Sequence, residues 1–372
     1  MIPAVILAAG LSSRMVRFKP LLPFGEKGQT ILEYTAGCFF AAGITDITVV
    51  TGFNEAEIKA AVKEKNIPLR QISNPYYEQG MFTSVKAGVK SLPPCDAFFL
   101  IPVDIPLVRP ATVRRLSASP PAENGVVIPT FGGKRGHPVL VSANLIDGIL
   151  SYNGEGGLEA FFKQAANVTE IPTGDIGTLL DCDRAEDYET LLKLYESKNA
   201  PNDEECAELM EKVYPVDEHI VRHCRAVADA AASIASALAV QDCGMNILRS
   251  AALLHDIARK EADHAAAGAK IANSLGFPEV ADLIATHMDI DVTEDTAVSL
   301  NEILFLADKL TAEDSIVSID ERFKDKLNQF AEGSAQWNAV RRRFNAAKII
   351  AAKIEQIAGR SPYEILSESR SQ

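Results

Sequence analysis

Positive charge is scarce in this chain of 372 residues: 37 Lys and Arg face 50 Asp and Glu, a formal net charge of −13. That deficit argues against a nucleic-acid partner, because binding a phosphate backbone relies on an excess of Lys and Arg. Any phosphate-bearing ligand must therefore be held by local cations or metals. Cysteine is also sparse. The six residues Cys38, Cys95, Cys182, Cys206, Cys224 and Cys243 form no C-x-x-C pair and no framework spacing, and they read as reduced, mostly buried thiols rather than a disulfide scaffold. No apolar stretch approaches the length of a membrane span, so no membrane partner is expected. The apolar N-terminus lacks a basic region, and Ser12-Ser13-Arg14 follow too early for a signal peptide. The expectation is a cytoplasmic protein without internal repeats or low-complexity tracts.

A hydrophobic fraction of 47% with 23% charged residues is ordinary for a globular chain, and the length suits two domains with a core each. Up to about residue 195, short β-rich runs at 3–8, 46–51, 68–73, 97–102 and 125–129 alternate with amphipathic stretches such as 29–42, 55–65 and 82–91. Several of these strands are apolar on both faces, which predicts βαβ units with helices on both sides of a mostly parallel, doubly wound α/β sheet. Ligands of such sheets sit at the carboxyl ends of the strands. A polar cluster, Ser197 to Asp203, marks the junction. Beyond it the β signal vanishes, and alanine-rich helical periodicity near 217–240, 245–259, 263–275, 278–287, 299–310 and 335–358 predicts an all-α domain. The expected layout is a first domain over 1–196, a linker over 197–214, a helical domain over 215–360 and a frayed tail over 361–372.

The first chemical signal is the strand Pro3-Ala4-Val5-Ile6-Leu7 opening into Ala8-Ala9-Gly10-Leu11-Ser12-Ser13-Arg14-Met15, with Lys19-Pro20 behind it. Small residues let backbone N–H groups approach phosphate oxygens, and Arg14 and Lys19 can neutralise charge developing on a leaving pyrophosphate. The loop alone fits an ordinary strand-to-helix turn equally well. Asn74 to Val85 forms a second cluster, with Gly80 and Ser84 at a helix start that can face a ligand or simply cap the helix. Asp104, between Pro102 and Pro106 at a strand's carboxyl end, suits Mg²⁺, although a turn cap is the plainer role for such an Asp.

Together with Arg135-Gly136-His137-Pro138-Val139 and Leu180-Asp181-Cys182-Asp183, these segments resemble the molybdenum-cofactor nucleotidyltransferase family, specifically its cytidylyltransferase branch, the MobA-like NTP transferases. The resemblance spans nearly the whole first domain. It implies nucleotide binding by Leu7, Ala8, Ala9, Gly10, Arg14, Lys19, Gly80 and Ser84, catalysis by Arg14, Lys19 and Asp104, and Mg²⁺ on Asp104 with Asp183 as a second ligand. His137 is implied to touch the acceptor, with shaping of its turn as the alternative. The Ala-Ala-Gly form of the loop resembles CTP-using members rather than GTP-using ones. Two departures stand out: Val16 replaces the Gly that follows Met in the family loop, and Asp181-Cys182-Asp183-Arg184-Ala185-Glu186-Asp187 lacks the family's Thr-Pro. The implied reaction needs little general-base help, since a phosphate monoester with a second pKa near about 6 is already largely a dianion at neutral pH. A molybdopterin-type phosphate would attack the nucleotide's α-phosphorus and release pyrophosphate, and a molybdoenzyme receiving the product would be a further partner.

The second signal is that five of the six histidines lie beyond residue 215. His255-Asp256 follow the apolar run Ala251-Ala252-Leu253-Leu254, and unpaired polar groups at the end of a buried helix would be costly. Each of these residues alone fits a core histidine satisfied by a carbonyl. As a set, His223, His255-Asp256 and Asp308 resemble the HD-domain metal-dependent phosphohydrolases. His264 and His287 fall where the two-metal members have further ligands, and Asp256 would bridge. Such a mixed shell suits Mn, Fe or Co, and Zn less. The resemblance implies activation of water for hydrolysis of a phosphoester or pyrophosphate bond. His219 lies off this pattern. The expected protein is a bifunctional enzyme; a sugar or polyol phosphate as acceptor, or a cofactor-handling chaperone without turnover, are the alternatives.

Overall fold

Alternation along one five-residue strand sets the layering of the N-terminal half. In β1 (Ala4–Ala8) every residue is buried. Ala4, Ile6 and Ala8 enter one hydrophobic core, and Val5 and Leu7 enter another on the opposite face of the sheet. Successive strand side chains point to opposite faces, so a strand apolar throughout must be covered on both. The computed structural model describes residues 2–11, 18–26 and 28–369, and the chain forms two units, Met1–Glu196 and Ser197–Gln372.

The first unit continues with α1 (Ile31–Ala41), β2 (Ile47–Thr51), α2 (Glu55–Glu64), β3 (Arg70–Ser73), α3 (Met81–Lys90), β4 (Ala97–Pro102), α4 (Pro110–Ser117), β5 (Gly125–Phe131), β6 (Lys134–Arg135), β7 (Val139–Ser142), α5 (Ile146–Ser151), α6 (Gly157–Ala165), β8 (Asn167–Pro172) and α7 (Ala185–Glu196). The strands lie in the order β3-β2-β1-β4-β7-β5-β6, with β8 also paired to β5. β1 runs parallel to β2 and β4, placing Leu7 opposite Pro102, while β7 runs antiparallel to both β4 and β5. The sheet is thus a mostly parallel α/β sheet. One core takes side chains from α1, α2, α4 and α7, and the other from α3, α5 and α6. α3 approaches the sheet closely at Gly88, where a Cβ would lie 2.5 Å from Val5 Cγ1 and 3.0 Å from Val50 Cγ2.

The second unit comprises α8 (Asp203–Glu208), α9 (Glu218–Ala237), α10 (Asp242–Leu254), α11 (His264–Leu275), α12 (Pro278–Thr286), α13 (Leu300–Lys309), a hairpin of β9 (Thr311–Ala312) and β10 (Ser315–Ile316), α14 (Ile319–Asn328), α15 (Ala335–Ala358) and α16 (Pro362–Ser369). Its helices share one hydrophobic core. No helix among the described residues is long and apolar enough to cross a membrane.

Three expectations are corrected here. The stretch 197–214, read as a linker, is folded: Asn202 and Glu205 form a capping box at the start of α8, and Leu209 and Met210 are 1% and 2% exposed. Burying side chains of that size stabilises by roughly 1.5–3 kcal/mol each. The polar cluster at 197–203 is therefore a helix-start signal as well as a breaker. The tail is not frayed from 361, because α16 buries Ile365 and Leu366. The helix expected over 245–259 ends at Leu254 and gives way to turns.

Candidate functional site

In the first unit, the carboxyl ends of β1 and β4 deliver the loop residues and Asp104 to one place. Leu7, Ala8, Ala9, Gly10, Lys19, Ser84 and Asp104 line a single cleft of about 160 Å³ together with Pro20, Tyr77, Met81, Pro102 and Val103. Backbone hydrogen bonds fix its walls: Val103 N donates to Leu7 O at 3.0 Å, and Cys182 N to Asp104 O at 2.8 Å. The latter draws the Asp181–Asp183 segment to Asp104. Lys19 Nζ then donates to Asp183 Oδ1 at 2.7 Å and to Asp104 Oδ2 at 3.3 Å. Burial alone would lower the Lys19 pKa, but the hydrogen bonds and charges of Asp183 and Asp104 raise it above its ordinary value. Asp181 shows the same crowding from the other side: burial, then the charges of Asp183, Asp104 and Asp187, push its carboxyl up. Two carboxylates converging on one cation, in a locally negative setting, form a donor set suited to a hard divalent ion such as Mg²⁺.

Ser84 is positioned by a residue to which the sequence reading assigned no role. Asn74 Nδ2 donates to both Ser84 Oγ and Thr83 Oγ1 at 2.9 Å, while Asn74 Oδ1 accepts from Tyr76 N at 3.0 Å. Its only sequence signal is the Asn-Pro turn. Gly80, at φ +107° on the N-cap of α3, does not line the cleft. His137 does not line it either. Its backbone N donates to Thr178 O at 2.9 Å, and burial pushes its imidazole down to about 4, so the ring is neutral near pH 7. Arg14 lies outside the described residues.

In the second unit, helix ends supply most of the cluster. His223 comes from the second turn of α9, His255 caps the C-terminus of α10 with Asp256 in the following turn, His264 opens α11, His287 caps the C-terminus of α12, and Asp308 lies in the last turn of α13. His255 and Asp256 are therefore not interior helix neighbours. Ligand atoms of His223, His255 and Asp256 lie within 4.8 Å of one another, as do those of Asp256, His264 and His287. Asp256 belongs to both groups.

Protonation prepares these rings. Nδ1 of His223, His255 and His287 contacts the carbonyl oxygens of Glu313, Ala252 and Ile284 at 2.8, 2.8 and 2.6 Å. A carbonyl only accepts, so Nδ1 of each ring carries a proton; Nε2 of His255 then keeps its lone pair, while Nε2 of His223 faces the Asp308 carboxylate, which also only accepts. His255 Nε2 and Asp256 Oδ1 are buried without a hydrogen-bond partner. Burial pushes His255 down to about 4, which favours this neutral form. His264 is likewise lowered by burial. His264 Nε2 accepts from Arg259 Nη1 at 3.0 Å and lies 3.2 Å from His287 Nε2, so the two ring nitrogens converge beside Asp256. Burial would raise both carboxyls. Asp256 is instead held low by His287, His255 and Arg259, and Asp308 by Lys309 and His223. His223, which burial would lower, is raised by its hydrogen bond with Asp308 at 3.2 Å. The orphaned His255 Nε2 and Asp256 Oδ1, the lowered His255 and His264 rings and the ionised carboxylates fit one or two divalent transition metals.

Lys309 was missed in the sequence because a Lys beside an Asp reads as a surface pair. It is 5% exposed and donates to Asp308 Oδ2 at 2.5 Å and to His287 O at 3.0 Å, locking two ligand-bearing helices together. The cluster opens onto a cavity of about 610 Å³ lined by seven Lys and Arg side chains against five carboxylates. In a chain of net charge −13 that local excess suits an anionic ligand.

Comparison with known proteins follows the same division. The family model described as MobA-like NTP transferase domain matches residues 4–168, and that described as HD domain matches residues 220–313. The molybdenum cofactor cytidylyltransferase of Escherichia coli (strain K12) is 33% identical over 196 residues, covering 52% of this chain and 97% of that protein. The bifunctional IPC transferase and DIPP synthase of Rubrobacter xylanophilus is 37% identical over 117 residues, 30% of this chain and 26% of that protein. Among solved structures, a nucleotidyl transferase from Methanothermobacter thermautotroptrophicus superposes with a TM-score of 0.47 at 24% identity, covering 53% of this chain and 98% of that one.

Proposed function

Since the chain belongs to the MobA-like NTP transferase family, carries an HD domain behind that part and is an enzyme, we propose that its first unit transfers CMP from CTP to the phosphate of a molybdopterin-type cofactor, releasing pyrophosphate, and that its second unit hydrolyses a phosphoester. The observation that carries the first reading is the Lys19 clamp: one buried ammonium on Asp104 and Asp183, beside the Ala8-Ala9-Gly10 backbone, in a cleft at the carboxyl ends of parallel strands.

The chemistry of the chain's own groups follows from charge. The acceptor phosphate is already largely dianionic at neutral pH, so the protein's task is to align it in line with the α-phosphorus and to neutralise charge. The loop backbone and Ser84 hold the nucleotide, and Lys19 stabilises the departing pyrophosphate, with Arg14 assigned the same task by family resemblance. Mg²⁺, held by Asp104 and Asp183 when bound, supplies further neutralisation of the phosphate oxygens. Lys19 Nζ, which bridges the same two carboxylates, would lie beside that ion and bear on the leaving group.

In the second unit, His223, His255, Asp256, His264, His287 and Asp308 would hold the divalent ions, which when bound supply charge neutralisation and activation of water. Arg259, at 3.6 Å from Asp256 Oδ1, is placed to meet a phosphate oxygen. The test of this half is phosphate release from a panel of phosphoesters and diphosphates by the Mn²⁺-loaded protein. Activity lost in Asp256→Asn supports it, and no release from any member contradicts it.

A different phosphate acceptor is the second reading for the first unit, favoured by the 37% identity with a protein whose name records another transferase activity. Pyrophosphate release with CTP or GTP, measured with molybdopterin cofactor and with sugar or polyol phosphates, separates the two. Release dependent on the cofactor and on CTP supports the proposal; release that depends on another acceptor contradicts it.

A further inference from the structure

The cavity of the second unit has a wall that the metal-ligand set does not explain. The HD-domain match ends at residue 313, yet Arg322 and Lys326 of α14 and Arg343 of α15 line the same cavity as His223, Asp256 and Asp308. Arg322 and Lys326 are four residues apart, so they share one face of α14.

These three cations differ in how they are satisfied. Arg343 is held bidentately by Asp289, at 2.7 and 2.6 Å. Arg322 and Lys326 have no carboxylate partner among the described residues, and Arg322 Nε is buried with no hydrogen-bond acceptor. A buried N–H donor left unpaired is costly, and two like charges on one helix face add repulsion. Lys326 registers this: burial, then the charges of Arg322 and Lys309, lower its pKa. Arg322 and Lys326 line the same cavity as Asp256, Asp308 and Lys309, so the α14 cations and the metal-ligand cluster face one space. At about 610 Å³ that space has room for roughly twenty waters at about 30 Å³ each, far more than one phosphate group fills.

We propose that the second unit acts on a diphosphate, inorganic pyrophosphate or an organic diphosphate, with one phosphate at the His–Asp cluster and the distal phosphate held by Arg322 and Lys326. The proposal rests on reading the HD unit as a metal-dependent hydrolase. Water oxygen forms a bond to the phosphorus beside His255 and Asp256, and the bridging P–O bond breaks. The electron pair leaves with the distal phosphate, where the two cations stabilise it, and the proton from water passes to solvent or to the released phosphate. A nucleotidyl-transfer reaction that releases pyrophosphate would supply such a substrate.

The test uses the full chain loaded with Mn²⁺. kcat/KM is measured for pyrophosphate, CDP and CMP, and calorimetry measures binding of imidodiphosphate as a diphosphate probe that does not require turnover. Arg322→Gln and Lys326→Gln are made separately, with Mn²⁺ stoichiometry as the check that each variant is folded. The expected result is a preference of pyrophosphate or CDP over CMP that each substitution cuts by about tenfold or more, the effect of losing a hydrogen bond to a charged group. The loss should fall on kcat/KM for the diphosphates and spare CMP, with a matching loss of imidodiphosphate affinity. Preference for pyrophosphate alone or for CDP identifies the source of the diphosphate. Equal losses for CMP and the diphosphates, or none, overturn the proposal and leave the hydrolase reading standing. If nothing is hydrolysed, the hydrolase reading fails, and imidodiphosphate binding still decides: dependence on Arg322 and Lys326 supports the diphosphate site, and independence overturns it.

Discussion

Burial acts on single side chains here in ways that two substitutions can read out. Lys19 is 9% exposed and holds two carboxylates, so Lys19→Ala leaves Asp104 and Asp183 repelling each other and removes the charge proposed to stabilise the leaving group. Loss of a preorganised charge stabiliser of this kind costs on the order of 10²–10³ in rate. Steady-state pyrophosphate release should show that fall in kcat more than in KM. His137 gives a pH signature. Its folded pKa is about 4 against an ordinary 6.5, so between those values the unfolded chain binds the extra proton and stability falls as pH drops from 6.5 toward 4. His137→Asn removes one such group, and urea denaturation between pH 4.5 and 7 should show a shallower dependence than in the parent chain. An unchanged slope would mean that His137 is solvated. His255-Asp256 were legible in the sequence because two polar residues after Ala-Ala-Leu-Leu violate hydrophobic patterning. Asn74, Lys309 and Arg322 were not, since nothing local tells which polar side chain will be buried, wholly as for Asn74 and Lys309 or at one atom as for Arg322 Nε; only the packing of distant segments over them does so.

Among the secondary-structure elements, legibility followed burial. β1, β2 and β4 are buried through nearly their whole length, and their apolar runs marked them directly. β8 is exposed or half-buried throughout, and β6 has only two residues, so neither leaves an apolar trace. α14 buries only Ile319 and Phe323 in a sequence otherwise dominated by Asp, Glu, Lys and Arg, which hid a helix carrying two cations of the larger cavity. α3 makes the sharpest prediction at this level. Its approach to β1 and β2 leaves no space at Gly88, so Gly88→Ala forces the helix outward or Val5 off its rotamer. Overpacking of that kind costs about 1–3 kcal/mol. Thermal denaturation should show a lower Tm, and because α3 also carries Ser84, KM for the nucleotide should rise. A variant with parental Tm and KM would show that α3 has slack.

On the proposed reading the chain would carry two metal chemistries, one on Asp104 and Asp183 and one on the His–Asp cluster. If each unit holds its own ions, Asp256→Asn should abolish transition-metal binding, measured by elemental analysis, while leaving CTP-dependent pyrophosphate release in place. Asp104→Ala should do the reverse. Loss of both functions in either variant would mean that one site supports the other. The two-domain organisation was legible from the change in periodicity near residue 198. The folded state of 197–214 was not, because a capping box and a polar breaker use the same residue types.

The measurement closest to the central claim follows the α-phosphate of CTP. Purified protein is given Mg²⁺, molybdopterin cofactor and CTP labelled at the α-phosphorus, and the products are separated by mass, beside an Asp104→Ala control. The expected products are cofactor carrying labelled CMP and one pyrophosphate per transfer, with neither in the control. Unmodified cofactor with intact CTP, or label transferred equally well by Asp104→Ala, would contradict that claim.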